Sequence, residues 1–207
     1  MTLDMRLPIA LTLAVFLCAP SAAMAFAKQR PAEWSRADAA DLDRVSAMLN
    51  TIHTMEGGFL QIEPSGQSDT GKFYVMKPGR IRFDYDPPSP TLVIGDGLSL
   101  AVYNTKLNTV NRYPLSSTPL NLLLSDNIDL KRSMAVIGVE HQPGELIVDA
   151  RSTDRRSTAD MSIVFSDPGL ELRQWTIVDA QGLPTTISLT NVQQGVTLDA
   201  ASFKISR

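Results

Sequence analysis

Short segments in which apolar and polar residues alternate, separated by turn-forming residues, fill most of this 207-residue chain. Alternation with a period of two is typical of strands that bury one face, because successive side chains point to opposite sides of a sheet. Since the connections are short, the strands should form one antiparallel and strongly curved sheet. We predict about eleven strands, near residues 57–63, 70–76, 80–86, 91–95, 98–104, 107–113, 133–140, 145–151, 160–166, 171–179 and 183–192.

Two helices are predicted beside this sheet. The stretch 35–53 begins with Ser35 as a helix N-cap and continues with apolar residues at spacings of three and four. The segment LSSTPLNLLLSDN at 115–127 predicts a second, very apolar helix, capped by Thr118 with Pro119 in its first position. Two helices cannot cover both faces of the sheet, so both should lie on its concave, apolar face. The final piece ASFKI is predicted to be extended.

The amino terminus has the composition of a secretory signal peptide. A short basic start precedes an apolar stretch and the sequence AMA at 23–25, so residues 1–25 are predicted to be removed on export. Acylation of Cys18 would instead tether the chain to a membrane, but Leu17 stands where a small residue is expected. Residues 26–207 then form a single exported domain without cysteine, which must depend on its core for stability.

The charge and motif content argue against several functions. The net charge of −3 comes without a basic cluster, so a nucleic-acid partner is not expected. The chain lacks P-loop, HExxH, GxSxG, CxxC and EF-hand patterns. His53 ends the first predicted helix and His141 precedes a turn, and neither is expected to be catalytic or to bind metal. Asp84 and Asp86 point the same way on one strand and are expected on a solvated face beside Arg80 and Arg82. We therefore expect neither catalysis nor a cofactor.

The hairpin GKFYVMKPGRIRFDYDPPSP at 71–90 places its bulky apolar residues on one face. The charged residues of its second strand occupy the other face, which should lie outside. Lys77 falls in the apolar register, next to the turn. These residues alone fit either an ordinary packed core or the wall of a ligand cavity. Alternation places on the apolar face Phe73, Val75, Ile81, Phe83 and Tyr85, and extends it to Leu92, Ile94, Leu98, Leu100 and Val102.

The ordered series of motifs over nearly all of residues 26–207 resembles the LolA family of periplasmic lipoprotein carriers. Its most specific part is the KPGRIR hairpin, followed by a DG turn and a tyrosine. The other motifs are GGFLQ, the P-x-x-P-T-L-V-I-G-D-G segment, LAVYN, TPLNLLL, VDAQGLPTTISLTNV and LDAASFKI.

The resemblance implies an incomplete antiparallel β-barrel of about eleven strands, with helices that form a lid over a hydrophobic cavity for acyl chains. Such a carrier is not an enzyme and has no cofactor. It takes acylated lipoproteins from an inner-membrane lipoprotein-releasing ABC transporter and passes them to an outer-membrane lipoprotein acceptor. We expect a monomer in the periplasm, because the cavity must face two partners in turn.

The same resemblance assigns roles to individual residues. The ten apolar residues of the extended face would line the acyl-chain cavity. Lys77 stands where the family usually has an arginine that bonds backbone carbonyls of a lid helix and holds the lid shut. Lysine lacks the planar fork of arginine, so this latch should be weaker and less directional. The lid would consist of Leu120, Leu122, Leu123 and Leu124.

Two other functions remain open at this point. A protein of the same fold could bind free lipid in the periplasm or report on the state of the envelope. An enzyme acting on lipids would need a nucleophile or paired acids in the apolar register, where only Lys77 is found.

Overall fold

The computed structural model describes residues 33–133, 135–152 and 159–205, so the predicted signal peptide lies outside the described residues. The helices are α1 (Arg36–Thr51) and α2 (Asn121–Leu124), and three 3₁₀ turns span Leu115–Ser117, Leu130–Arg132 and Ala200–Phe203. The strands are β1 (Thr54–Ile62), β2 (Ser68–Met76), β3 (Arg80–Tyr85), β4 (Thr91–Asp96), β5 (Ser99–Asn104), β6 (Thr109–Pro114), β7 (Val136–Gln142), β8 (Glu145–Arg151), β9 (Asp160–Ser166), β10 (Leu172–Val178) and β11 (Pro184–Gln194).

All eleven described strands belong to one antiparallel sheet, with the order β6-β5-β4-β3-β2-β1-β11-β10-β9-β8-β7. The end strands β6 and β7 do not pair with each other in this part of the chain, so the sheet is an open barrel. The predicted fold class is therefore confirmed. The chain between the two edge strands runs from residue 115 to residue 135 and carries α2, so one connection crosses the opening of the barrel.

Helix α1 supplies most of the helical cover of the concave face. Its start agrees with the predicted cap, because the amide of Asp38 donates to Ser35 Oγ over 3.1 Å. Its apolar stripe, Leu42, Val45 and Leu49, is buried in the same core cluster as the inward-facing strand residues. The helix therefore lies against the inside of the sheet, as its amphipathic pattern requires.

Two local predictions are wrong. Thr118 does not cap α2, which begins at Asn121; the Thr118 hydroxyl instead donates to the carbonyl of Leu115. The segment ASFKI is not extended, because the side chain of Asp199 accepts the amide of Ala201 and stabilises the 3₁₀ turn Ala200–Phe203. That turn packs on the outer face of β3 and β4.

A lidded apolar cavity on the concave face

Four aromatic rings form the centre of the concave face. The ring of Phe83 on β3 packs edge-on against Phe59, with centroids 5.0 Å apart, and lies 6.3 Å from both Phe73 and Trp175. Strand β10, which carries Trp175, is four places from β3 in the sheet. Contact between these two rings therefore shows that the sheet curls until its two halves face each other across a narrow interior.

Seven of the ten residues predicted for the cavity wall lie on this concave face. Phe73 pairs with Phe83 and Val75 with Ile81, and all four side chains are buried. Tyr85 is half-buried against the core, and its hydroxyl donates to Gln61 Oε1 over 2.6 Å. Burial raises the pKa of Tyr85 well above its usual value. The register places the remaining two, Leu100 and Val102, on the same face.

The predicted face of Leu92 and Ile94 is wrong. Leu92 pairs with Asp84 and Ile94 with Arg82, so both side chains lie on the outer face. The inward residue of β4 beside Phe83 is Val93. Ile94 is buried all the same, because the carboxy-terminal 3₁₀ turn packs on this part of the outer face.

Leu98 is not part of the cavity wall either. It lies in the turn between β4 and β5, and 82% of its surface is exposed. The turn has only two residues between the strands, so every pair joins one odd-numbered and one even-numbered residue, and the inward pairs are Val93 with Val102 and Gly95 with Leu100. The inward residues are therefore odd-numbered on β4 and even-numbered on β5. A single alternation in steps of two cannot run from Leu92 to Val102.

The opposite wall of the interior comes from β8 to β11, which supplied no predicted site residue. Its inward positions follow the same period of two that marks the first half, in segments such as LIV at 146–148 and MSIVF at 161–165. Alternation was thus a signal that could have identified them. The buried residues of this wall are Leu146, Val148, Met161, Ile163, Phe165, Leu172, Trp175, Ile187 and Leu189.

A small cavity remains between the sheet and the helices, with a volume of about 20 Å³. That is room for about one water molecule, so the apolar interior is closed in this conformation. Nine of the eleven described residues that line it have purely apolar side chains, and the other two are Lys77 and Trp175. The lining includes three of the four predicted lid residues, Leu120, Leu123 and Leu124. Leu122 is half-buried and also packs on the core.

Polar side chains of α1 hold the lid segment, defined here as residues 115–133, over the cavity. The Asn50 amide binds both backbone groups of Ile128: Nδ2 donates to the carbonyl over 2.9 Å, and Oδ1 accepts from the amide over 2.8 Å. Ser46 Oγ accepts the amide of Leu130 over 3.0 Å. Sequence reasoning missed both residues, because a polar residue beside an apolar helical stripe carries no sign of what it will contact.

Replacing Asn50 with alanine should loosen the lid segment. The change removes two hydrogen bonds, each with a net value of about 0.5–1.5 kcal/mol, so we expect a loss of about 1–3 kcal/mol in the free energy of unfolding. Hydrogen exchange of the Ile128 amide should become faster than in the unmodified protein. Asn121→Ala, on the exposed side of the lid, is the matched control. Equal exchange at Ile128 in both variants would contradict the role of Asn50.

Lys77 bonds to α1 rather than to α2. Its Nζ donates to the carbonyl of Leu49 over 2.8 Å, in the last turn of α1, where a cation is favourable. Its own amide donates to the carbonyl of His53. Burial lowers the pKa of Lys77 to about 8, and the charge of Asp126 partly opposes this effect. The ammonium group therefore releases its proton near pH 8 rather than above pH 10.

Stability should rise with pH between about 8 and 10 because of Lys77. In this range the folded protein has released the Lys77 proton, whereas an unfolded lysine holds its proton up to about pH 10.4, so the unfolded state binds more protons. Lys77→Leu should lack the rise, and Lys72→Leu, an exposed position on the outer face of β2, should keep it. Urea unfolding across this range measures the slopes. Parallel slopes for the protein and Lys77→Leu would contradict the assignment.

The β2–β3 turn is hydrogen-bonded to both elements that cover the cavity, α1 and the lid segment. Besides the bonds of Lys77 to the end of α1, the amide of Gly79 donates to the carbonyl of Leu124 at the end of α2 over 2.8 Å. Movement of either helix away from the barrel must therefore break a hydrogen bond at this one turn.

A larger groove lies beside this cavity, between β10 and the end of β11, with a volume of about 440 Å³. It shares Met55 and Leu172 with the cavity lining. Its other residues are mostly polar or charged, including Glu171, Arg173 and Asn191. Met55 and Leu172 thus line both the apolar cavity and the more polar groove.

The remaining candidate residues have structural contacts. His141 Nε2 lies 2.9 Å from Asp41 Oδ2 on α1, and this hydrogen bond lowers the pKa of Asp41. Arg82 forms an ion pair with Asp84 over 2.8 Å on the outer face and donates to the carbonyl of Ser202. Among the described residues, no group of histidine, cysteine and acidic side chains is arranged to hold a metal ion.

The fold and site together define an open antiparallel barrel whose apolar interior is covered by α1 and residues 115–133. The model of the family described as outer membrane lipoprotein carrier protein LolA matches residues 50–206. The chain therefore belongs to the LolA family.

Individual relatives are similar over most of their length. An outer-membrane lipoprotein carrier protein from Leptothrix cholodnii is 28% identical over 179 residues, covering 80% of this chain and 82% of the relative. One from Cupriavidus necator is 27% identical over 208 residues, covering 93% of each. Among solved structures, a LolA superfamily protein from Nitrosomonas europaea aligns with a TM-score of 0.43 at 9% identity, covering 79% of this chain and 97% of that chain. In the part of the chain that the structure describes, no helix is long and apolar enough to cross a membrane.

Proposed function

We propose that this protein binds the acyl chains of lipoproteins between the curved sheet and the lid. It carries them across the periplasm from an inner-membrane lipoprotein-releasing ABC transporter to an outer-membrane acceptor. The observation that carries the proposal is the closed interior under the lid, where the described lining consists of nine apolar side chains and two polar ones. Membership of the LolA family and the names of the relatives support the same function. No catalytic step forms part of it.

The energetics of the cargo explain why a lid is needed. Three acyl chains with about 40 methylenes gain on the order of 30 kcal/mol when they leave water, at ~0.8 kcal/mol per methylene. Such a group does not cross water unaided, so a carrier must enclose it and still release it. The closed cavity has only about 20 Å³, so the acyl chains enter when the lid moves away from the barrel. The polypeptide part of the cargo stays outside, in the polar groove that shares Met55 and Leu172 with the cavity.

The latch role of Lys77 belongs to this proposal. With the lid closed, Nζ binds the carbonyl of Leu49, and its withdrawal frees the end of α1. A lysine makes one directed bond here where an arginine fork could make two, so the lid of this protein opens at a lower cost. Exchange of a bound acylated peptide should accordingly be slower in Lys77→Arg than in the unmodified protein.

Native mass spectrometry of the mature protein, isolated from the periplasm without detergent, tests the function directly. We expect an adduct that dissociates into an acylated polypeptide. Bound phospholipid alone, or no adduct, would overturn the lipoprotein carrier and favour a lipid-binding or envelope-sensing protein of the same fold.

The direction of transport requires a second assay. Spheroplasts that contain the releasing transporter should discharge a lipoprotein into the medium only when this protein and ATP are both present. Outer-membrane vesicles added afterwards should then receive the lipoprotein. Release without ATP would show that the protein extracts lipoproteins passively, contrary to the proposed partner.

A further inference from the structure

In the described part of the chain, the indole N–H of Trp175 is a buried hydrogen-bond donor without an acceptor. The residue is 2% exposed, and Nε1 has no hydrogen-bond partner among the described residues. Buried tryptophan N–H groups usually have a partner, because an unpaired donor loses its hydrogen bond to water and gains none in return. The other tryptophan, Trp34, follows this rule and donates to the carbonyl of Lys131 over 3.1 Å.

The surroundings of Trp175 indicate what the missing acceptor is. Trp175 lines the closed cavity with nine apolar residues and Lys77. The two polar side chains of this lining are both donors, and Lys77 already binds the carbonyl of Leu49. A ligand that fills the cavity must therefore be apolar along most of its length, and a ligand that also carries an acceptor can supply the partner that the Trp175 N–H lacks.

We propose that Trp175 donates its indole N–H to the carbonyl oxygen of a bound acyl chain, and so makes the cavity selective for acyl over alkyl lipids. The inference rests on the proposed carrier function. The ring of Phe83 packs edge-on against Trp175 in the closed form, so an entering chain replaces that contact. Each acyl chain has a single carbonyl, at its polar end, and the hydrogen bond therefore fixes how deep the chain enters.

The test compares dioctanoylglycerol, which has two ester carbonyls, with its diether analogue dioctylglycerol, which has none. Dissociation constants are measured by calorimetry for the mature protein and for Trp175→Phe, which keeps an aromatic ring at the position. One net hydrogen bond is equivalent to about a three- to tenfold preference for the ester in the unmodified protein. Trp175→Phe should bind both lipids within about twofold of each other.

A spectroscopic measurement keeps the test independent of how well the variant folds. In a ¹⁵N-labelled Trp34→Phe protein, the indole N–H of Trp175 is the one remaining tryptophan signal. Its proton resonance should move downfield when the ester lipid binds, as expected for a new hydrogen bond, and should not do so with the ether lipid. An ester preference that survives in Trp175→Phe would overturn the inference.

The outcomes separate this inference from the function on which it rests. Equal affinity of the unmodified protein for ester and ether lipids would overturn the role of Trp175 and leave the carrier intact. Binding of neither lipid, and of no triacylated lipopeptide, would overturn the carrier function itself. A triacylated lipopeptide and a dioctanoyl phospholipid serve as further probes. A downfield shift with either supports the acyl-carbonyl contact, and their relative affinities show which source of acyl chains the cavity prefers.

Discussion

Phe83→Glu should abolish acyl-chain binding and lower the free energy of unfolding by about 3–5 kcal/mol. Phe83 is 4% exposed and touches three other rings, so a glutamate there removes the aromatic contacts and places a carboxylate in an apolar interior. The carboxylate must either become protonated or draw water into the cavity, and both outcomes disfavour an alkyl chain. Calorimetric titration with dioctanoylglycerol measures the binding, and urea unfolding measures the stability.

The matched control is Leu98→Glu, which makes the same kind of change on a side chain with 82% of its surface exposed. It should retain binding and should change stability by no more than about 0.5 kcal/mol. Binding is compared at a temperature where near-ultraviolet circular dichroism shows both variants folded. If folded Phe83→Glu binds the lipid as tightly as Leu98→Glu does, the concave face is not the acyl-chain site.

Gly79→Ala should destabilise the protein by about 2–4 kcal/mol. Gly79 has φ +72°, and a Cβ atom there would lie 2.6 Å from the Cα of Gly97, so strained backbone and steric overlap act together. The overlap pushes the β2–β3 turn away from the β4–β5 turn, and the hydrogen bond from Gly79 to Leu124 is lost with it. We therefore expect faster hydrogen exchange in α2 as well as a lower midpoint of urea unfolding.

Gly144→Ala provides the comparison for this second variant. Gly144 has φ +81°, but no atom lies within 4 Å of a Cβ built there, so only the backbone term of about 1–2 kcal/mol applies. The difference between the two variants measures the close approach of the two turns. Equal destabilisation would show that the turns can separate freely, and that the lid does not depend on their contact.

The hairpin residues show how much of the site the sequence could predict. Phe73 and Phe83 pair across a hairpin with a short turn, so the local pattern of alternation was sufficient to put them on one face. Across the connection from Tyr85 to Thr91 the pattern loses its phase, so alternation within β4 selected Leu92 and Ile94 on the wrong face. Ile94 is apolar because the carboxy-terminal 3₁₀ turn covers it, and a contact between such distant segments leaves no local pattern.

The lid and its contacts could likewise be predicted from the sequence only in part. A cluster of leucines at 120–124 was sufficient to predict a buried cover, and three of the four are buried in the core. The position of Lys77 before Pro78, together with the family resemblance, predicted a bond to a helix carbonyl. Which helix accepts it was decided by the distance between the turn and the end of α1, where Leu49 lies.

The sequence by itself determined the eleven strands, their antiparallel order along the chain and the apolar character of one face, because these depend on alternation and on turns between neighbouring segments. Only the tertiary structure decided which residues meet inside. Phe83 and Trp175 are 92 positions apart, and Asn50 and Ile128 are 78 apart. Such pairs form because the sheet closes on itself and α1 lies within it, and the free energy of those contacts depends on the whole fold rather than on any local segment.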